Sequence, residues 1–91
     1  MKTYQMIVSG KVQGVGFRAY VSQAAQKHRL KGTVRNLQDG RVEIILQGTE
    51  DDLQELTHIV RTPQHPFMKV ADVRTQEITS ETNHESFKII Y

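Results

Sequence analysis

The sequence predicts an α+β fold in which two helices pack on one face of an antiparallel sheet. Apolar residues alternate with polar ones between Arg41 and Gln47, as on a half-buried strand. They recur at helical spacing after Arg18 and again after Thr49. With strand-like segments before, between and after these helices, the order along the chain is β-α-β-β-α-β with a short fifth strand. That order is typical of the ferredoxin-like split βαβ sandwich.

The first strand and helix are predicted from apolar content and spacing. Residues 4–10 are apolar enough for a central strand. A helix is predicted from about Arg18 to Leu30, because one stripe is spaced at i, i+3, i+4 and i+7: Val21, Ala24, Ala25 and His28. Gly32 is placed to end this helix, and the basic residues before it suit a helix C-terminus.

The second and third strands are predicted to form a hairpin. They cover residues 33–37 and 41–47, and the turn between them is Gln38-Asp39-Gly40. Asp-Gly is the strongest short hairpin signal, because both residues tolerate positive φ.

The remaining elements follow from a cap and from alternation. Thr49 and Asp52 resemble a capping box in which Asp replaces the usual Glu or Gln, and they predict a second helix ending near Arg61. A fourth strand is predicted over residues 68–78. A short fifth strand follows, in which the apolar positions alternate: Phe87, Ile89 and Tyr91.

Composition limits the possible classes of function. Ninety-one residues predict a single domain, 1–91, whose site must lie on surface loops. The absence of cysteine excludes disulfides, thiolate catalysis and cysteine-based metal sites. A net charge of +2 falls short of the excess typical of a strong nucleic-acid binder. No apolar run approaches the ~18 residues of a membrane span. We therefore expect a cytoplasmic monomer that binds neither nucleic acid nor membrane.

The topology predicts where a site would form. The first strand, first helix and second strand make a crossover unit, and crossovers place their two strands parallel. The C-terminal ends of both strands then lie at the same edge of the sheet. The loop after Ser9 and the second-strand residue Asn36 should therefore be neighbours, although 18 positions separate Arg18 from Asn36.

The loop from Gly10 to Arg18 has the composition of an anion-binding site. Three glycines in seven positions allow positive φ values and a close approach of ligand to backbone. The N–H groups from Gln13 through Phe17, contributed by Gln13, Gly14, Val15, Gly16 and Phe17, can then point inward at the helix N-terminus. The guanidinium of Arg18 suits forked contact with phosphate oxygens, and its place in a first helical turn is unfavourable unless an anion is present.

Two other glycine-loop interpretations are disfavoured by context. Gly14-x-Gly16-x-x-Ala19 satisfies the loose dinucleotide fingerprint, but the second strand turns into a hairpin and 91 residues cannot build a doubly wound sheet. The nucleotide P-loop is absent, because no Gly-Lys-Ser/Thr closes the loop. A simple strand-to-helix turn remains the alternative for the glycines alone.

Two ordered motifs resemble the signatures of the acylphosphatase family. The first is Gly10-x-Val12-Gln13-Gly14-Val15-Gly16-Phe17-Arg18, and the second is Gly32-x-Val34-x-Asn36-Leu37-x-Asp39-Gly40-x-Val42-Glu43. The resemblance covers nearly the whole chain. It departs from the family pattern at Thr33 and over residues 61–70, where stability and substrate-tail preference are the properties concerned.

The resemblance implies an activity and a division of roles. Acylphosphatases hydrolyse acyl phosphates to a carboxylate and inorganic phosphate, without a metal, another cofactor or a covalent intermediate. Arg18 matches the family's phosphate-binding arginine, and Asn36 matches the residue that orients the attacking water. Such roles suit phosphoryl transfer, which asks a protein mainly for positioning and charge stabilisation.

Other functions remain as alternatives. The same fold can serve as a non-catalytic anion-binding or RNA-binding module, but the sheet lacks the aromatic pairs on which RNA bases stack. An accessory domain without turnover is a third possibility, against which Arg18 and Asn36 argue. The four histidines show no metal-ligand spacing: His28, His58, His65 and His84. Ser9 and Ser22 lack a visible catalytic partner.

Overall fold

The computed structural model describes residues 2–91. Five strands and two helices follow one another in the predicted order: β1 (Lys2–Lys11), α1 (Phe17–Lys27), β2 (Lys31–Asn36), β3 (Val42–Gly48), α2 (Glu50–Arg61), β4 (Lys69–Ile78) and β5 (Phe87–Ile89). The predicted α+β, ferredoxin-like fold is confirmed.

One five-stranded sheet has the order β4-β1-β3-β2-β5. The strands from β4 to β2 pair antiparallel, as predicted, and β1 and β2 therefore run parallel on either side of β3. The short β5 adds to β2 in parallel, so that the complete sheet is mixed. The sequence did not predict this pairing, because a three-residue strand carries no signal for its partner.

The core lies between the helices and one face of the sheet. Alternate strand residues are buried there, including Met6, Val8, Val34 and Ile44, and they pack in one cluster with Val21 of α1 and Leu56 of α2. The opposite face is open and carries polar side chains. On it a chain of hydrogen bonds crosses four strands: Gln76 Nε2 to Gln5 Oε1 at 2.7 Å, Gln5 Nε2 to Glu43 Oε2 at 2.9 Å, and Arg35 Nε to Glu43 Oε1 at 2.8 Å.

The end of α1 differs from the prediction. The helix stops at Lys27, and Arg29 adopts the left-handed conformation with φ 57°. The N–H of Arg29 donates to Gln26 O and that of Leu30 to Ala25 O, which is the pattern of a Schellman motif. His28, predicted on the buried stripe, is instead exposed, with its Nδ1 3.0 Å from Glu55 Oε1 of α2.

Gly32 lies inside β2 and does not end the helix. Its φ is 153°, and a Cβ there would collide with the backbone carbonyl of Ile45 on β3. Glycine is required at this position by the close approach of two strands, a non-local constraint that helix-capping rules cannot predict.

Replacing Gly32 with alanine is expected to destabilise the fold by about 3 kcal/mol or more, because backbone strain and a backbone collision combine. Gly40 is the matched control: its φ is 96°, but its Cβ would meet nothing within 4 Å. Gly40→Ala should therefore cost only the ~1–2 kcal/mol of left-handed strain. Urea denaturation of both variants measures the difference, and equal losses would contradict the assignment of close approach to Gly32.

The hairpin between β2 and β3 uses its Asp-Gly differently from the prediction. Gly40 has positive φ but Asp39 does not. Gly40 N donates to Leu37 O at 3.3 Å, and Leu37 N donates to Arg41 O at 2.8 Å. Asp39 accepts from the N–H and Nε of Arg41, at 3.1 and 2.8 Å, and these contacts, the backbone hydrogen bond first, lower the pKa of its carboxyl. The hairpin is thus a three-residue loop with glycine at its left-handed position.

The predicted cap of α2 is present. Thr49 Oγ1 accepts from Asp52 N at 3.2 Å, and Asp52 Oδ2 accepts from Thr49 N at 3.0 Å. Three acidic residues occupy the first turn of this helix, where they complement its dipole: Glu50, Asp51 and Asp52. The cap and its helix were predictable because every signal for them is local.

Candidate active site

A cavity of about 260 Å³ opens at the edge of the sheet where β1 and β2 end. Its lining includes Arg18 and Asn36, so the structure brings together the two residues that the topology predicted to be neighbours. The other lining residues come from the loop, the start of α1 and the C-terminal segment: Val12, Gly14, Gly16, Phe17, Ala19, Ile89 and Tyr91. Gln13 and Val15, also predicted in the phosphate loop, are not in the lining.

The loop between β1 and α1 is held by two buried apolar anchors. Val12 and Phe17 are each 1% exposed and belong to the core cluster. Between them the backbone passes through left-handed conformations, at Gly14 with φ 74° and at Gly16 with φ 82°. Side-chain-bearing residues rarely adopt this conformation, so the glycines allow the loop to curl between its anchors.

The N–H groups in this loop have no protein acceptor. In the described part of the chain, none of the backbone N–H groups of residues 13–17 donates to a backbone or side-chain oxygen. Gly16, which precedes α1, provides no side-chain cap, and the first turn of the helix contains no acidic residue. The N-terminus of α2, by contrast, has both a capping box and acidic residues in its first turn. A helix N-terminus with free N–H groups attracts anions.

Arg18 is the cation at this helix terminus. It is half-buried, and among the described residues it has no carboxylate within ion-pair distance. Its guanidinium carbon lies 4.9 Å from the ring centroid of Tyr91, which is within cation–π range. The ring covers one side of the guanidinium, while no protein anion neutralises it.

Asn36 contributes an unpartnered acceptor. It is the last residue of β2, and its Oδ1 is buried with no hydrogen-bond partner in the described structure. An orphaned buried acceptor costs about 1–3 kcal/mol unless water or a ligand satisfies it. The simplest alternative for this residue, an asparagine bonded to its own backbone through Oδ1, is therefore not what the structure contains.

One wall of the cavity was not predicted. Ile89 and Tyr91 reach the site because β5 runs parallel to β2 and therefore ends at the same edge of the sheet. Their alternation with Phe87 indicated a strand, but only the unpredicted pairing places that strand beside the cavity. The lining of the site thus combines polar groups of the loop, Arg18 and Asn36 with an apolar surface from the C-terminal segment.

Titratable groups are concentrated elsewhere. None of the four histidines is in the cavity lining, and residues 2–91 contain no cluster of three or more His, Cys, Asp or Glu side chains suited to a metal. Tyr20, on α1, donates its hydroxyl to Ile59 O at 2.6 Å and Thr62 O at 3.1 Å; burial raises its pKa. That tyrosine ties α1 to the end of α2.

The family of the chain is decided by its match to a known sequence family. The sequence model of the Acylphosphatase family matches residues 4–89, which include the cavity loop, Arg18 and Asn36. The chain belongs to the acylphosphatase family. This membership confirms the resemblance carried by the two motifs.

Curated relatives and solved structures agree with this assignment. The acylphosphatase of Bacillus subtilis (strain 168) is 45% identical over 91 residues, covering 100% of this chain and 99% of that protein. The acylphosphatase of Bacillus licheniformis is 43% identical over the full length of both. The crystal structure of acylphosphatase from Bacillus subtilis superposes with a TM-score of 0.89, covering both chains completely. The predicted enzyme class, acylphosphatase, is confirmed.

The same fold occurs inside a much larger protein. HypF of T. kodakarensis is 32% identical with a TM-score of 0.88, and the alignment covers 100% of this acylphosphatase-family chain but 12% of that chain.

Within residues 2–91, neither helix has the length and apolar character needed to cross a bilayer.

Proposed function

We propose that the chain hydrolyses acyl phosphates in this cavity, releasing a carboxylate and inorganic phosphate. The phosphoryl group is held by the N–H groups of residues 13–17 and by the guanidinium of Arg18. The observation that carries the proposal is that one cavity is lined by an uncapped helix terminus, by an arginine without an ion-pair partner among the described residues, and by Asn36, whose Oδ1 has no hydrogen-bond partner there. Each of them lacks the partner that a phosphate and a water molecule would supply.

Asn36 directs the attacking water. Its side-chain amide, whose Oδ1 has no partner among the described residues, holds the water so that a lone pair of the water oxygen faces phosphorus. The water oxygen bonds to phosphorus as the bond from phosphorus to the acyl oxygen breaks. The electron pair of that bond leaves with the carboxylate, and the protons of the water remain on the product phosphate. A carboxylate is a good leaving group, so the reaction needs positioning and charge stabilisation more than a strong general acid.

The acyl group lies against the apolar surface of the cavity. Ile89 and Tyr91 contribute apolar surface to the lining, and the ring of Tyr91 lies against the guanidinium of Arg18. The cation–π contact with Tyr91 also favours the position of the Arg18 guanidinium at the cavity. We further propose that the protein acts as a cytoplasmic monomer of one domain, without a metal or other cofactor.

The RNA-binding alternative receives no support from the open sheet face. Tyr4 and Phe87, the aromatic residues of the strands, are both buried on the side of the core. The open face of the described strands therefore offers no ring on which a base could stack. Arginines on that face are paired with acids, Arg35 with Glu43 and Arg74 with Asp72.

Hydrolysis of benzoyl phosphate tests the proposal. The wild-type protein, assayed with a chelator and no added metal, should release benzoate and phosphate well above the rate of the Arg18→Ala protein. Inorganic phosphate should inhibit competitively, because the product occupies the same cradle. A wild-type rate no higher than that of Arg18→Ala would contradict the enzymatic assignment and favour a non-catalytic anion-binding domain.

A further inference from the structure

The side chain of Gln13 joins the two segments of the site. Its Nε2 donates to Leu37 O at 2.7 Å and to Arg41 O at 2.9 Å, so that one amide reaches residues 24 and 28 positions away. Gln13 itself is half-buried at the start of the loop and is not in the cavity lining. Its side chain therefore has a role distinct from that of its backbone N–H.

Both acceptors lie on the hairpin that carries Asn36. Leu37 directly follows Asn36, and Leu37 N also donates to Arg41 O at 2.8 Å. Arg41 O thus accepts hydrogen bonds from both Gln13 Nε2 and Leu37 N, at the base of the hairpin loop. Asn36 and Val42 form the next pair along the two strands.

The sheet itself leaves a gap that this side chain spans. β1 and β2 are not neighbours, because β3 lies between them. Strands separated by one other strand are about 10 Å apart, twice the usual strand spacing. The loop after β1 and the end of β2 consequently depend on a side chain for a direct hydrogen-bonded connection. Gln13 provides it through Leu37 O, and its second bond, to Arg41 O, holds the other side of the same hairpin.

The geometry points to Gln13 as a positioning residue that sets the distance between the phosphate-holding loop and Asn36. This inference rests on the proposed function. Within residues 2–91, Asn36 Oδ1 has no hydrogen-bond partner to fix it, so its place relative to the phosphorus depends on the backbone of the hairpin. A displacement of about 1 Å in such an arrangement can cost about 10²-fold in rate. The side chain of Gln13 acts through Asn36 and does not itself touch the substrate, because its Nε2 is bonded to the hairpin.

Gln13→Met, which keeps side-chain length but removes both donors, tests the inference. We expect kcat for benzoyl phosphate to fall about 10- to 100-fold. The inhibition constant of inorganic phosphate should stay within about 3-fold, because the loop N–H groups and Arg18 remain. Gln13→Asn, which is too short to span the gap, should give the same pattern and serves as a second variant if Gln13→Met does not fold.

Asp39→Ala is the matched control for a loosened hairpin. It removes the contacts of Asp39 with Arg41 in the same hairpin but leaves the connection to the loop intact. Its kcat should remain within about 3-fold of wild type. If Asp39→Ala slows turnover as much as Gln13→Met does, general loosening explains the effect and the inference is wrong.

A double-mutant cycle decides whether Gln13 acts through Asn36. In an Asn36→Ala background there is no side chain left to position, so adding Gln13→Met should change kcat less than about 2-fold. An equal loss in both backgrounds, or a rise in the phosphate inhibition constant that matches the loss of kcat, would overturn the inference. Wild-type turnover with an unaffected Gln13→Met would reject this inference alone, whereas no wild-type turnover would reject the proposed function.

Discussion

Replacing Arg18 with alanine is expected to lower kcat/KM for benzoyl phosphate about 10³-fold. A charged hydrogen bond contributes about 1.5–3 kcal/mol, and a guanidinium fork can make two such bonds to phosphate. Arg18 has no ion-pair partner in the described structure, so no carboxylate there competes with phosphate for its donors. Arg18→Lys should recover only part of the loss, because an ammonium cannot make the forked contact.

The stability of the same variant separates binding from folding. A cation near a helix N-terminus is unfavourable by about 0.3–1 kcal/mol, so phosphate-free Arg18→Ala should unfold at the same temperature as wild type or slightly higher. Added phosphate should raise the Tm of wild type but not that of the variant. Arg61→Ala, at the end of α2 and away from the cavity lining, is the charge-matched control. If Arg18→Ala keeps a tenth or more of the wild-type kcat/KM, Arg18 does not have the assigned role of holding the phosphoryl group.

Asn36→Ala should slow turnover but leave the binding of phosphate almost unchanged. We expect kcat to fall about 10²- to 10³-fold, the range seen when one well-placed polar group is removed from a reaction centre. The inhibition constant of phosphate should change less than about 3-fold, because the loop and Arg18 still hold the anion. Steady-state kinetics with phosphate as inhibitor measures both quantities.

The stability of Asn36→Ala provides a second check on this assignment. Oδ1 is buried without a partner, so its removal should not destabilise the unliganded protein and can stabilise it by about 1 kcal/mol. Asn83→Ala is the control, since Asn83 is exposed and lies outside the cavity lining. Loss of phosphate inhibition together with turnover would mean that Asn36 binds phosphate and that its role has been misassigned.

The parts of the fold that were predicted correctly depend on local signals. The capping box from Thr49 to Asp52 fixed the start of α2, and alternation fixed β3. Two errors concern the end of α1 and the residue Gly32. Helix-capping rules predict a helix stop at Gly32, but glycine is required there by the backbone of Ile45 on a neighbouring strand. Arg29 ends the helix instead, in a conformation that sequence rules reserve mainly for glycine and asparagine.

In the candidate site, too, some features could be predicted from the sequence and others could not. Crossover topology placed Arg18 and Asn36 at one edge, because strand direction follows from element order alone. The wall formed by Ile89 and Tyr91 depends on the parallel pairing of β5, and the bridge made by Gln13 depends on side-chain packing. Neither leaves a periodic signal in the sequence. The motif therefore predicts that the backbone N–H of Gln13 belongs to the anion-binding loop, but it does not predict the hydrogen bonds of the Gln13 side chain.

Titration of inorganic phosphate, followed through the backbone amide resonances of the 91-residue protein, tests most directly whether this loop is the anion site. We predict saturable shifts of the amides of residues 13–17, accompanied by Arg18, with little change elsewhere and none in the Arg18→Ala protein. A second cavity, on the open sheet face, contains Arg41 and Arg74 and offers the competing location. Saturable shifts confined to that face, or no saturable shifts in the loop, would contradict the account.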